Sequence, residues 1–350
     1  MKHKCFAAVV LAAALLLTGD YILYLALKLC ATFVCNVLLA RKADRLYPYL
    51  KQKTVQPLPA PVRQDISKNI RAMIAHKLGS VVVFGTDNVL IAYFVGAVSV
   101  GLYSNYLLIT QSLKSAYSMI FRAMTASIGN LCAAEDTAHA QAVFWRVDLL
   151  TRWIYGFSAV CLVVLFNPFI SLWLGADYLF SMPIVLLIVL SFYVTGMRQS
   201  VLTFREAMGL YWYDRHKPLF ESAINLAVSI LLAKPFGIVG IFIGTVVSTL
   251  STCTWVEPYI LFRHGFGAPV GKYFVHYALN TLLTAFAGAA TWCICALLPQ
   301  TGFGSFIIKV LLCCVIPNLF FLLVYGKTSE FRYFLTLGKS VLGKWMHKSA

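Results

Sequence analysis

Long apolar runs separated by short polar and basic stretches dominate the chain. Ten stand out: residues 5–17, 21–40, 78–95, 101–121, 149–166, 183–204, 219–233, 238–256, 273–297 and 305–325. Most approach the ~20 residues a helix needs to cross the ~30 Å hydrocarbon layer of a bilayer. The runs are continuously apolar and lack a period of two, so they predict helices rather than barrel strands. The expected fold class is all-α: a polytopic membrane helix bundle of about ten transmembrane helices. The start of the chain, with Lys2 and Lys4 before an apolar run, has the outline of a signal peptide. A second run begins at Tyr21, however, after only Thr18, Gly19 and Asp20, with no small-x-small cleavage site before a polar mature start. A helical hairpin is the expectation there.

Composition agrees with the pattern. The 350 residues are 60% hydrophobic and only 12% charged, with mean hydropathy +0.78, whereas a soluble domain is about 25% charged. That excludes a soluble globule and a disordered chain alike, and makes lipid the main solvent. The excess of 29 Lys and Arg over 13 Asp and Glu would suit a nucleic-acid partner only if it formed a solvated basic face. Here the basic residues lie between apolar runs, so no nucleic acid is expected. With Met1 on the cytoplasmic side, the connections on that side hold 24 Lys and Arg, and the opposite connections hold one, Lys234. Such asymmetry predicts a multi-pass protein of the cytoplasmic membrane with both termini inside. The four remaining basic residues, Lys28, Lys114, Arg198 and Lys309, fall within runs.

Polar groups inside runs are costly and need partners or water. In the fourth run Tyr106, Thr110, Lys114, Ser118 and Arg122 recur every four residues, which aligns them on one helix stripe. One reading is a hydrated cavity wall; the other is Lys114 snorkelling and Arg122 anchoring at the inner interface. In the third run His76, Ser80 and Asp87 lie at i, i+4 and i+11, with Asn88 adjacent. Asp87 is expected either to pair with Lys114 or to serve as a proton or cation site. Arg198 lies past the midplane, and Arg205 follows two turns later on the same face, with Glu206 adjacent to neutralise one of them. Guanidinium matches phosphate in two-point contacts, so a lipid pyrophosphate is one expected ligand, an interfacial anchor the other role. The seventh run opens Lys217-Pro218 and carries Glu221, Asn225 and Ser229 at i, i+4 and i+8. Pro218 and Glu221 suit a helix start, whereas Asn225 and Ser229 suit interhelical bonding or a lined cavity.

Catalytic signatures are missing from the sequence. It holds no G-x-S-x-G, no P-loop and no H-E-x-x-H, and the outer connections contain only Asp20 and Asp177 as acids. The ten cysteines lie mostly within apolar runs, with no C-x-x-C pair and no His at ligand spacing. No metal, cofactor or enzymatic activity is expected.

An ordered series of short motifs resembles a known family. It comprises Tyr47-Pro48-Tyr49-Leu50, Thr86-Asp87-Asn88, Val100-Gly101-Leu102-Tyr103-Ser104-Asn105-Tyr106, Gly129-Asn130, Leu172-Trp173-Leu174-Gly175, Gly209-Leu210-Tyr211, Asn225-Leu226, and Gly240 through Gly244-Thr245. From about Leu11 onward the chain is similar to the polysaccharide-biosynthesis flippases of the multidrug/oligosaccharidyl-lipid/polysaccharide exporter superfamily. The resemblance implies two six-helix lobes around a central cavity, often with two extra C-terminal helices. On that pattern residues 1–50 are the last two helices of an N-terminal lobe, 51–72 a basic cytoplasmic linker, and 73–262 a complete six-helix C-terminal lobe. Residues 263–326 are the additional pair and 327–350 a basic cytoplasmic tail. About four N-terminal helices of the pattern have no counterpart, so a truncated N-terminal lobe is expected. The implied substrate is a lipid-linked oligosaccharide, a polyprenyl-phosphate-linked glycan, flipped by alternating access. Its phosphate would meet Lys114 and Arg198 in a cavity also lined by Tyr106, Thr110, Ser118, Arg122, Asn225 and Ser229. Expected partners are membrane lipid, the glycan carrier, and either a missing N-terminal lobe or other polysaccharide-assembly proteins. A cation- or proton-coupled exporter of small molecules, served by Asp87, and a polytopic glycan polymerase or ligase are the alternatives.

Overall fold

The computed structural model describes residues 13–51, 58–134, 136–299 and 302–348. Most of the first apolar run, and part of the 51–72 stretch, lie outside the described residues. Every regular element among the described residues is helical. The chain divides into two compact units, residues 1–63 and 64–350. The main helix of the first unit is α1 (Tyr21–Leu46). Asp20 caps its start, its carboxylate accepting from the backbone N–H groups of Ile22 at 2.8 Å and Leu23 at 3.3 Å, which satisfies two of the orphan donors of a helix N-terminus.

α2 (Ala60–Phe94), which starts within the basic stretch, leads into the second unit. There follow α3 (Ala97–Ala134) and α4 (Thr137–Trp173), then α5 (Met182–Ala207), α6 (Lys217–Phe236), α7 (Ile238–Phe266), α8 (Gly271–Ala296) and α9 (Phe303–Tyr325). α10 (Ser329–Lys348) occupies the basic tail. Seven of these, α1 and α4 through α9, are long and apolar enough to cross a membrane. The chain is thus a helical, membrane-embedded bundle.

α2 and α3 are long as well, at 35 and 38 residues, but polar residues interrupt their apolar stretches: Thr86, Asp87 and Asn88 in one, and Thr110, Gln111, Ser112 and Lys114 in the other. The polar segment 122–146, expected as a connection, is instead helix on both sides of a turn near Asp136. It is rich in alanine, the best helix former, so helix persists beyond the apolar run.

α4 is the hub of the second unit, packing against α3, α5, α8, α9 and α10. At one end Phe144 is fully buried and meets the edges of Phe204, Phe262 and Phe266 at centroid distances of 5.4, 5.4 and 5.5 Å, a favoured aromatic geometry. Leu279, Leu282 and Phe286 on α8 and Leu311, Val315 and Leu323 on α9 point outward and stay exposed. Such a large apolar exterior is what a lipid-facing surface requires.

Candidate functional site

Two polar clusters sit where α2, α5, α6 and α7 meet, and they have opposite electrostatic characters. The first centres on Asp87, midway along the apolar half of α2 and only 3% exposed. Thr245 on α7 places its hydroxyl 3.1 and 3.0 Å from the two carboxylate oxygens. Asn225 on α6 donates its amide N–H to the same Thr245 oxygen at 3.1 Å, and Ser229 donates to the Ile241 carbonyl at 3.2 Å. The Asn225 side chain also hydrogen-bonds Asp87, so two neutral side chains meet the carboxylate. The Asn225 carbonyl oxygen is buried and has no hydrogen-bond partner among the described residues. Among the described residues no Lys, Arg or His pairs with Asp87. The result is a buried pocket lined by neutral polar side chains. An ionised carboxylate there lacks a counter-ion, and a proton or a hard monovalent cation would supply the missing charge.

The α6–α7 hairpin makes this packing feasible. A Cβ at Gly244 would strike the Ser229 side chain, and one at Gly240 would strike the Leu232 carbonyl. Glycine at both positions lets the helix backbones approach closely enough for Asn225 and Ser229 to bond across to α7.

The second cluster is an ion network. Arg198 holds Glu257 through two parallel bonds, Nε to Oε2 at 2.8 Å and Nη2 to Oε1 at 2.7 Å. Lys217 also binds Glu257, and Arg205 binds Asp214. His76 Nε2 lies 3.0 Å from the second Asp214 oxygen. Cross-links of 3.6 Å from Arg205 to Glu257 and 3.7 Å from Lys217 to Asp214 close the network. Local irregularities aim these groups. α5 is interrupted at Arg198, whose backbone leaves the regular helix. α7 contains π-turns at Thr249–Cys253 and Leu261–Phe266, on either side of Glu257 and Pro258. Proline lacks the N–H for a regular helix bond, and π-bulges of this kind are frequent at functional positions. In the loop beside the network, burial pushes the Tyr211 phenol up to about 12, with the Glu206 carboxylate adding to the effect, so its neutral ring is the face over which Arg205 sits at 5.8 Å.

The sequence-predicted residues divide between these clusters and the rest of the bundle. Asp87, Asn225 and Ser229 come together at the α2–α6–α7 junction. Arg198 is nearby but committed to Glu257, while Arg205 takes Asp214 rather than Glu206, which is exposed. Asp87 does not pair with Lys114. The Lys114 ammonium lies 5.8 Å from the Phe192 ring centroid, within electrostatic reach of Arg198, and forms no ion pair among the described residues. Tyr106 is fully buried at the other end of α3, where its hydroxyl donates to Asn167 at 2.7 Å and accepts from the Phe180 N–H at 2.9 Å. Asn167 in turn donates to the Phe180 carbonyl at 2.9 Å, closing a three-membered knot. Thr110 bonds back to the carbonyls of Tyr106 and Leu107, and Ser118 to that of Ser115. Arg122 is exposed, near the charge of Glu206. The side chain of Ser80 lies outside the described residues.

Several functional candidates escaped the sequence reading. Glu257 stands one residue beyond the eighth apolar run, Asp214 and Lys217 belong to a connection, and Asp148 directly precedes the fifth run. Asp148 is buried too, 3.0 Å from Arg152 and 2.8 Å from the Ser200 hydroxyl. An acid abutting an apolar run next to a proline, as in Val256-Glu257-Pro258, was the one available signal for Glu257. Among the described residues no group of three His, Cys, Asp or Glu has metal-holding geometry. Comparisons with known protein families, with curated proteins and with solved structures find no match to the chain.

Proposed function

We propose that the chain is an ion-coupled membrane transporter that flips a lipid-linked oligosaccharide across the cytoplasmic membrane. The observation that carries the transport reading is the buried Asp87 carboxylate, met at the junction of three helices by Thr245 and Asn225 but by no cation among the described residues. A site that costs free energy when empty and ionised is relieved by a proton or cation. Occupancy can then bias two arrangements of α2 against the α6–α7 hairpin, which is what coupling requires. The substrate class rests on the motif series in the sequence and on Lys114, a half-buried cation without a carboxylate partner. A phosphate on a polyprenyl carrier would take Lys114 and compete with Glu257 for the Arg198 fork.

In this reading α2 and α3 also cross the membrane. Together with the first apolar run they bring the spans to about ten, with both termini cytoplasmic. α2 through α7 then act as the C-terminal lobe of the flippase pattern and α8 and α9 as the added pair. The Asp87 pocket equally favours a second reading, an ion-coupled exporter of small molecules.

The test uses the full chain in proteoliposomes containing a fluorescent polyprenyl-pyrophosphate disaccharide, with translocation read as protection from an impermeant quencher under imposed proton or sodium gradients. Gradient-dependent translocation is expected, with loss of gradient dependence in Asp87→Asn and at least tenfold slower movement in the Lys114→Gln, Arg198→Gln double variant. Unchanged translocation in the double variant refutes the phosphate role. Gradient-driven efflux of a cationic dye without glycolipid movement supports the second reading instead.

A further inference from the structure

Three thiols from three helices converge away from the polar clusters. Cys161 on α4, Cys295 on α8 and Cys313 on α9 share one packing cluster with Val164. The Cys161 sulfur lies 4.0 Å from the Cys313 carbonyl oxygen, and the Cys313 thiol meets those of both Cys161 and Cys295. Cys313 and Cys295 are buried, 0% and 3% exposed. Cys161 is partly open and lines a groove of about 450 Å³ between α3, α4 and α9 with Ser112, Leu165 and Phe306. Lys309, one turn before Cys313 on the same face of α9, is buried. Disulfide exchange proceeds by attack of one sulfur on a disulfide sulfur through a mixed disulfide.

We infer that Cys161 and Cys313 form a redox site that reduces a small apolar disulfide and ties α4 to α9. The asymmetric exposure sets the order of events. Cys161 is reachable through the groove, so its sulfur attacks the external disulfide, forms a mixed disulfide and expels one thiol. Cys313, shielded but in contact, then attacks the Cys161 sulfur, forms the Cys161–Cys313 bond and expels the second thiol. Two protein thiols and one external disulfide become one protein disulfide and two external thiols, so electrons and protons balance. Cys295 remains a thiol beside the new bond. On the orientation proposed above, the cluster lies in the outer half of the membrane, toward the side where disulfides persist.

The probe is 4,4′-dithiodipyridine, an apolar disulfide whose released thiopyridone is counted by absorbance. It is added to the full chain in lipid nanodiscs, followed by peptide mapping under non-reducing conditions. The expected map shows Cys161 joined to Cys313 and no pyridyl adduct left on Cys161, with dithiothreitol restoring both thiols. In Cys313→Ala the reaction is expected to stop at a stable pyridyl adduct on Cys161, with one fewer thiopyridone released. In Cys161→Ser neither the adduct nor the link forms, while Cys295→Ala keeps the Cys161–Cys313 link. A persistent adduct on Cys161 in the unaltered chain overturns the inference, as does an unreacted Cys161 or a link from Cys313 to any other cysteine. None of these readouts depends on transport, so failure of the flippase reading leaves this test intact.

Discussion

Asp87 and Glu257 are both carboxylates sealed inside apolar helices, yet they call for opposite outcomes on neutralisation. Glu257 faces Arg198, Lys217 and Arg205, so removing its charge strands buried cations. Glu257→Gln is expected to cost about 3–5 kcal/mol, seen as a lower unfolding midpoint in detergent. Asp87 faces only neutral partners, Thr245 and Asn225, among the described residues, so Asp87→Asn removes a charge with no counter-ion and is expected to leave the midpoint unchanged or raised. Equal losses in both would show that Asp87 has an ionic partner. Tyr106 gives a third case. Its hydroxyl closes the knot with Asn167 and Phe180, and Tyr106→Phe leaves two buried groups short of a partner. A loss of about 1–3 kcal/mol is expected, measured by the same unfolding assay. At this scale the sequence showed which residues were anomalous in lipid, but not their partners. The four-residue repeat from Tyr106 to Arg122 is regular on the helix, yet its members meet a knot, their own helix backbone, an aromatic ring and open surface.

At the scale of elements, the hairpin of α6 and α7 decides the geometry of the Asp87 pocket. Its glycines allow backbone contact, so a methyl at either position works as a wedge. Gly244→Ala and Gly240→Ala are each expected to cost about 1–3 kcal/mol through overpacking, read as a lower midpoint. Gly244→Ala is also expected to weaken ion coupling in the vesicle assay, because it parts Ser229 from α7 beside Thr245. A change in coupling from Gly240→Ala alone would place the control elsewhere on the hairpin. The apolar runs foretold α1 and α4 through α9 closely, because an unbroken apolar stretch of membrane length has few other fates. The same pattern missed the helical extensions around the α3–α4 turn and the helix in the basic tail. Those segments are polar or amphipathic and are held by packing, as where Phe331 of α10 stacks on Trp153 of α4 at 5.5 Å.

For the whole molecule, the distribution of basic residues is the strongest statement about orientation. If it governs topology, Lys234→Cys is labelled by an impermeant maleimide from outside intact cells, whereas Lys272→Cys and Lys327→Cys react only after permeabilisation. All three positions are exposed. Labelling of position 327 in intact cells would reverse the expected direction. The exposed apolar belt on α8 and α9 says that these helices face lipid, while α4, buried along much of its length, forms the axis on which the second unit is built.

What the sequence determined by itself is the solvent of this protein, and with it the helical class, the boundaries of most apolar helices and the expected sidedness. Those follow from transfer free energies summed over twenty residues, a sum large enough that no single contact overrides it. What only the tertiary structure decided is which charges are spent on one another. Glu257 claims Arg198, Asp214 claims Arg205, and Asp87 is left with the neutral side chains of Thr245 and Asn225. Such pairings join residues up to 158 positions apart, and turn on ångström differences in how helices cross, which no local pattern encodes.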